Sequence, residues 1–228
     1  TPQSVGTEST RELNSAMEDV SSYQLLTSCL NVFRDLLDKT YIIAILEFTP
    51  FFQLTPSEKD DLNFISTFLH QTKPFISPGR WRNSYTEKQI CGCYIKKIDL
   101  SQLFDFNSHY KKPSILGHII GTLFKNLSRL PFQDNQDIMK KYNITSLADL
   151  SYGQIPEDST SSPHIFTNNV LFNPPHKYKD DISQYAFVLW LATCSSFGSL
   201  FGIEFNQKHG ILKMIWQANK YTHCTTLL

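Results

Sequence analysis

The chain has 228 residues, 41% of them hydrophobic, and its 21 basic side chains equal its 21 acidic ones. That length can bury a substantial core, and that apolar share excludes an intrinsically disordered chain. A net charge of zero gives no bulk attraction to nucleic acid or to an anionic membrane, so binding of either would have to rest on a local patch.

Residues 1–8 carry no apolar run and read as a loose tail without a secretory leader, ahead of a single domain over 9–228. Ser9 and Glu12 are spaced as a capping box, in which each side chain satisfies an open amide at a helix start, and a short helix is predicted over 10–20. Its apolar positions Leu13, Met17 and Val20 fall out of phase with Leu26, Leu30, Phe33 and Leu37. A second helix is therefore predicted over 22–39, opened by Ser21 and Gln24. Residues 41–54 fit a continued helix or a buried strand equally well, and Pro50 ends whichever forms. Thr55 as N-cap, Pro56 at the first helical position and Glu58 three after the cap then predict a helix over 56–71, with Leu62, Ile65, Phe68 and Leu69 on one face.

Residues 72–112 lack helical period and form an irregular basic segment, with a strand expected over 89–98. Eight basic residues face three acidic ones over 73–112, whereas residues 1–65 hold ten acidic against four basic. Arg80, Trp81 and Arg82 set two guanidiniums beside an indole, a combination found at protein hot spots and where bases stack. Cys91 and Cys93, with His70 or His109 to complete a set, are the obvious zinc candidates. Paired zinc cysteines are usually separated by two to four residues, so a single intervening glycine argues for two plain thiols and no metal. Five cysteines, an odd number, favour free thiols and a reducing compartment, the nucleus or cytoplasm.

Pro113 opens an amphipathic helix predicted to run to 130, with Ile115, Leu116, Ile119, Ile120, Leu123, Phe124 and Leu127 inward. Gly117 and Gly121 lie one turn apart on its flank, where another helix could come close. A short helix is expected over 135–141 and a turn of helix over 146–150. Residues 151–180 change to proline, serine, histidine and asparagine and read as a long loop. The 19 uncharged residues from Tyr185 to Ile203 are long enough to cross a bilayer, but their serines and glycines and the lack of a flanking basic cluster favour a core helix over 181–205. A last helix is expected over 207–220.

These elements predict a mainly α fold, a multi-helix bundle around the 181–205 helix. No phosphate loop, dinucleotide fingerprint, zinc-protease helix or nucleophile elbow is present. The chain then reads as a non-enzymatic interaction module, an adaptor or subunit of a larger complex, without cofactor or metal. Its partners would be other proteins, or a second copy, docked at Arg80, Trp81, Arg82, Gly117 and Gly121, and no membrane. Two alternatives stay open: a nucleic-acid-associated factor using residues 73–112, and an enzyme with its site under the 151–179 loop near His164 and His176.

Overall fold

Several apolar runs that suit helical spacing form strands instead. The computed structural model describes residues 18, 29–75, 98–109, 112–143, 146, 157, 173–177, 183–193, 198–200 and 210–225. Strands β1 (Cys29–Arg34) and β2 (Ile42–Pro50) come first. Helices α1 (Pro56–Thr72), a short α2 (Leu103–His109), α3 (Pro113–Leu127) and α4 (Arg129–Tyr142) follow. The remaining elements are β3 (Asn173–His176), β4 (Ala186–Leu191), β5 (Gly210–Trp216) and β6 (His223–Thr225). A four-stranded antiparallel sheet has the order β1-β2-β5-β4, and β3 pairs with β6 in a separate two-stranded ribbon.

The expected helical bundle is thus corrected to an antiparallel sheet covered by helices. Residues 186–191, the heart of the expected central helix, are β4, and the chain beyond bridges back from Leu200 to Thr193, with Gly198 at φ +71° between them. Phe187, Leu189 and Leu191 of β4 face the helices, while Val188 and Trp190 point the other way. A strand apolar on both faces loses the alternation that would mark it, and at this length it is indistinguishable from a helix apolar around its circumference. The same reason corrects residues 207–220, where β5 lies. Gly210, there read as a weak helix turn, sits opposite Pro50, and a Cβ on it would fall 2.3 Å from the Thr49 carbonyl oxygen. The described part of residues 22–39 contains β1, and the ambiguous 41–54 run contains β2.

The helices with explicit start signals form where expected. At α1, Glu58 Oε2 accepts from Thr55 N at 2.8 Å and from Thr55 Oγ1 at 2.8 Å, and Thr55 Oγ1 accepts from Glu58 N at 3.3 Å, a closed capping box. Pro113 begins α3, whose Leu116, Ile119, Ile120, Phe124 and Leu127 are buried, although Ile115 is exposed. The expected 135–141 helix is the latter part of α4, closed by Asn143 at φ 50°. Glu18 is helical, and the rest of the expected 10–20 helix lies outside the described residues. So does the expected 89–98 strand apart from Ile98.

Helices cover one face of the large sheet. Ile211 packs with Leu62, Ile65 and Phe68 of α1 and with Leu116, Ile119 and Ile120 of α3. Ile45 and Ile215, opposite one another in β2 and β5, pack with Phe124, Leu127 and Phe132. Phe124 stacks on Phe187 at 4.8 Å, tying α3 to β4. On the opposite face, the register aligns Leu46, Met214 and Val188, then Phe48, Leu212 and Trp190, and at one end Ala44, Trp216 and Ala186. Among the described residues no helix is long and apolar enough to cross a membrane.

Candidate functional site

The two-stranded ribbon begins with residues that suit a strand poorly. In β3, Asn173 pairs with Thr225 and His176 with His223, with a register shift between the two pairs. Pro174 and Pro175 have no N–H to give the ladder, and a bulge is where a ribbon tolerates them. Residues directly opposite across antiparallel strands share a face. His176 and His223 therefore occupy adjoining positions on one face of the ribbon.

His223 is oriented by its own turn. Its Nδ1 lies 3.2 Å from the carbonyl oxygen of Tyr221, which can only accept, so Nδ1 carries the proton. In the neutral ring the lone pair then sits on Nε2, a buried atom. A metal-ligating histidine has this arrangement, with its other ring N–H given to a carbonyl or carboxylate that holds the tautomer and the ring angle. The Trp216 indole meets the His223 ring edge to face at 5.1 Å, which places His223 beside the face of the large sheet opposite the described helices.

The turn joining β5 to β6 is pinned by Gln217, 3% exposed. Its backbone N donates to the Ile43 carbonyl at 3.3 Å and its Nε2 to the Ile42 carbonyl at 3.3 Å. Nε2 also lies 3.4 Å from the Tyr185 hydroxyl, and Oε1 accepts from the Tyr41 hydroxyl. One buried amide thus ties the start of β2, the approach to β4 and the end of β5 to the position of His223. Lys220 in the same turn stands 4.1 Å from the Tyr41 ring centroid, and its bond to Tyr41 holds its ammonium above the ordinary lysine range.

Residues 55–227, about three quarters of the chain, match the family model described as the Tet-like 2OG-Fe(II) oxygenase superfamily. The chain belongs to that superfamily. No curated protein and no solved structure matches it. Membership overturns the reading of a non-enzymatic, all-α adaptor, since the oxygenases are enzymes, and favours the enzyme alternative. The adaptor reading rested on the absence of contiguous catalytic motifs. In this superfamily member the paired histidines come from strands separated along the chain by β4 and β5.

The Fe(II) in the superfamily's description can be tested against the donors present. Non-haem Fe(II) oxygenases hold their metal with two histidines and one carboxylate. His176 and His223 are two histidines at partnered backbone positions. The carboxylate is not matched: the ribbon strands read NPPH and HCT, without an acid. Among the described residues no three His, Cys, Asp or Glu side chains are grouped to hold a metal ion. The described residues therefore do not complete that donor set.

Apart from His176, the residues singled out in the sequence lie elsewhere. Arg80, Trp81, Arg82, Cys91, Cys93 and His164 fall outside the described residues. Gly117 and Gly121 are buried in α3, which packs against α1 and α4. His70 lies against Gly198, and His109 is buried between Phe68 and Phe75. His176 was singled out only as a residue of the long loop, and His223 was missed. The sole local sign of β6 is three residues near the chain's end, too short to register as a strand.

Proposed function

We propose that this chain is an oxygenase that binds divalent iron through His176 and His223 and uses 2-oxoglutarate as co-substrate. The observation that carries this reading is the pairing of His176 with His223 across the ribbon. Superfamily membership supports the choice of metal and co-substrate, and the His223 tautomer supports ligation through Nε2. Half-buried Leu46, Phe48, Val188, Leu212 and Met214, on the sheet face that carries Trp216, support a setting poor in water, where electrostatic interactions strengthen.

The test is consumption of 2-oxoglutarate by tag-free protein supplied with Fe(II), compared with His223→Ala. Wild-type protein is expected to consume it at least about tenfold faster than the variant, the size of effect that even an outer-shell partner carries. Equal rates from two proteins with the same circular dichroism would overturn the reading.

A further inference from the structure

We infer that the face of the large sheet opposite the described helices carries a binding position at Trp216, for a neutral and largely apolar molecule whose carbonyl oxygen or ring nitrogen accepts the indole N–H. That this molecule is the substrate rests on the oxygenase reading above; that it binds here does not.

Trp216 closes β5 and is 8% exposed. Its Nε1 is buried and has no hydrogen-bond partner among the described residues. An indole nitrogen can only donate, and a buried tryptophan usually finds an acceptor for it. The His223 ring, 5.1 Å away between centroids, offers only a weak π acceptor. A donor held out of water without a partner is destabilising, and a ligand that supplies the acceptor removes that penalty.

The positions around the indole suit a ligand of this kind. Ala44 and Ala186 stand directly opposite Trp216 across the two ladders, and both are half-buried. A methyl on each side leaves the flanks of the indole open, where the next row has Leu46 and Val188. The two rows beyond Trp216 on this face are apolar throughout, and the charged pair of Glu47 and Lys213 lies on the other side of the sheet. An anion would therefore lose its water with no facing cation from these strands, a penalty that outweighs one neutral hydrogen bond. A donor-only group also turns away a ligand that presents an N–H or O–H at that point.

The test follows the indole N–H proton signals of isotope-labelled, full-length protein, whose tryptophans are Trp81, Trp190 and Trp216. Trp81→Phe, Trp190→Phe and Trp216→Phe assign them by loss; where the last does not fold, its signal is the one that both others keep. The probes are cyclohexanone, methylenecyclohexane, which lacks the oxygen, and cyclohexanecarboxylate, which carries a charge. Cyclohexanone is expected to move the Trp216 proton downfield and to saturate below about 50 mM, within reach of a ligand of its size. Methylenecyclohexane and cyclohexanecarboxylate are each expected to bind at least about tenfold more weakly. A Trp216 proton unmoved by cyclohexanone, or methylenecyclohexane binding as tightly, would overturn the site. Tighter binding by the carboxylate would overturn its ligand class. Neither result touches the oxygenase reading, which 2-oxoglutarate consumption tests by itself. Saturable binding of the ketone without that consumption would keep the site and remove the oxygenase.

Discussion

Thr72 Oγ1 lies 2.7 Å from His109 Nε2 and donates its own proton to the Phe68 carbonyl oxygen at 2.8 Å. A hydroxyl has one proton to give, so His109 must donate through Nε2 and is the Nε2–H tautomer. The ring stacks on Phe68 at 4.2 Å and 12°, and Phe75 closes on it at 5.6 Å.

This setting gives the fold a dependence on acidity. Burial, with Lys112 second, holds the His109 imidazole below its ordinary value of 6.5. The unfolded chain accepts a proton there more readily than the folded one. The stability contributed by neutral His109 is therefore whole above 6.5 and is lost as pH falls through 6.5 toward the depressed folded value. His109→Phe, which keeps a ring in the stack without a titrating group, is expected to flatten the fall in melting temperature between about pH 7.5 and 5. An unchanged slope would remove His109 as its source.

Glu47 and Lys213 pair across β2 and β5 on the helix-facing side of the sheet, Nζ to Oε1 at 2.7 Å, between Ile215 on one side and Ile211 on the other. The Lys213 side chain is only 11% exposed and that of Glu47 is 30% exposed. Glu47→Ala takes away the direct partner of the ammonium and leaves only the longer-range charge of Glu58, so it is expected to cost about 3 kcal/mol, the low end for breaking a buried pair. Replacing both, Glu47→Met with Lys213→Leu, removes the stranded charge and is expected to return stability to within about 1 kcal/mol of wild type. Urea denaturation of the single and double variants checks this. Equal losses would show that the charge is not what the single variant exposes.

Gly198 cannot accept a side chain. Its φ of +71° belongs to the left-handed region, and a Cβ would stand 2.3 Å from His70 Cβ. Gly198→Ala is expected to cost about 2 kcal/mol or more, from the backbone conformation and the contact together. Because the contact is with Cβ itself, His70→Ala gives no rescue, whereas His70→Gly relieves the contact and leaves the backbone cost. Thermal denaturation of the double variants distinguishes the two, and rescue by His70→Ala would contradict the geometry.

Asp134 of α4 accepts the backbone N–H of Gln184, just ahead of β4. Its Oδ2 is buried without a hydrogen-bond partner, and burial pushes the carboxyl above its usual range, with Asp137 adding to the rise. The ionised form is thus less stable folded than unfolded. Stability associated with this group is greatest below its unfolded value and falls as pH rises through the raised folded one. Asp134→Asn keeps an acceptor for Gln184 and removes the charge, so its melting temperature is expected to exceed wild type at neutral pH and to converge with it in acid. A destabilised variant at neutral pH would reverse this assignment.

What could be read from the sequence divides along a physical line. Helix α1 is legible because Thr55, Pro56 and Glu58 act within a single turn, and α3 because Pro113 precedes a stripe from Leu116 to Leu127 that keeps one period. The central strands are not legible. Val188 and Trp190 are as apolar as Phe187 and Leu189, and the one charged residue inside β5, Lys213, faces the helices, where its partner Glu47 comes from another strand. The candidate site is least legible of all. His176 follows two prolines that argue against a strand, and nothing local to His223 marks its pairing with a residue that precedes β4 and β5.

The family match opens at Thr55, yet β2 ends before it and lies between β1 and β5 in the sheet. A fragment trimmed to the family boundary would bare the edge of Gly210–Trp216 and empty the position of Ile45 beneath Phe124. It would also remove Ile42 and Ile43, the carbonyls on which Gln217 hangs. Such a fragment would expose an apolar edge to its neighbours in solution and precipitate. Work on the oxygenase region therefore requires protein that begins no later than β1.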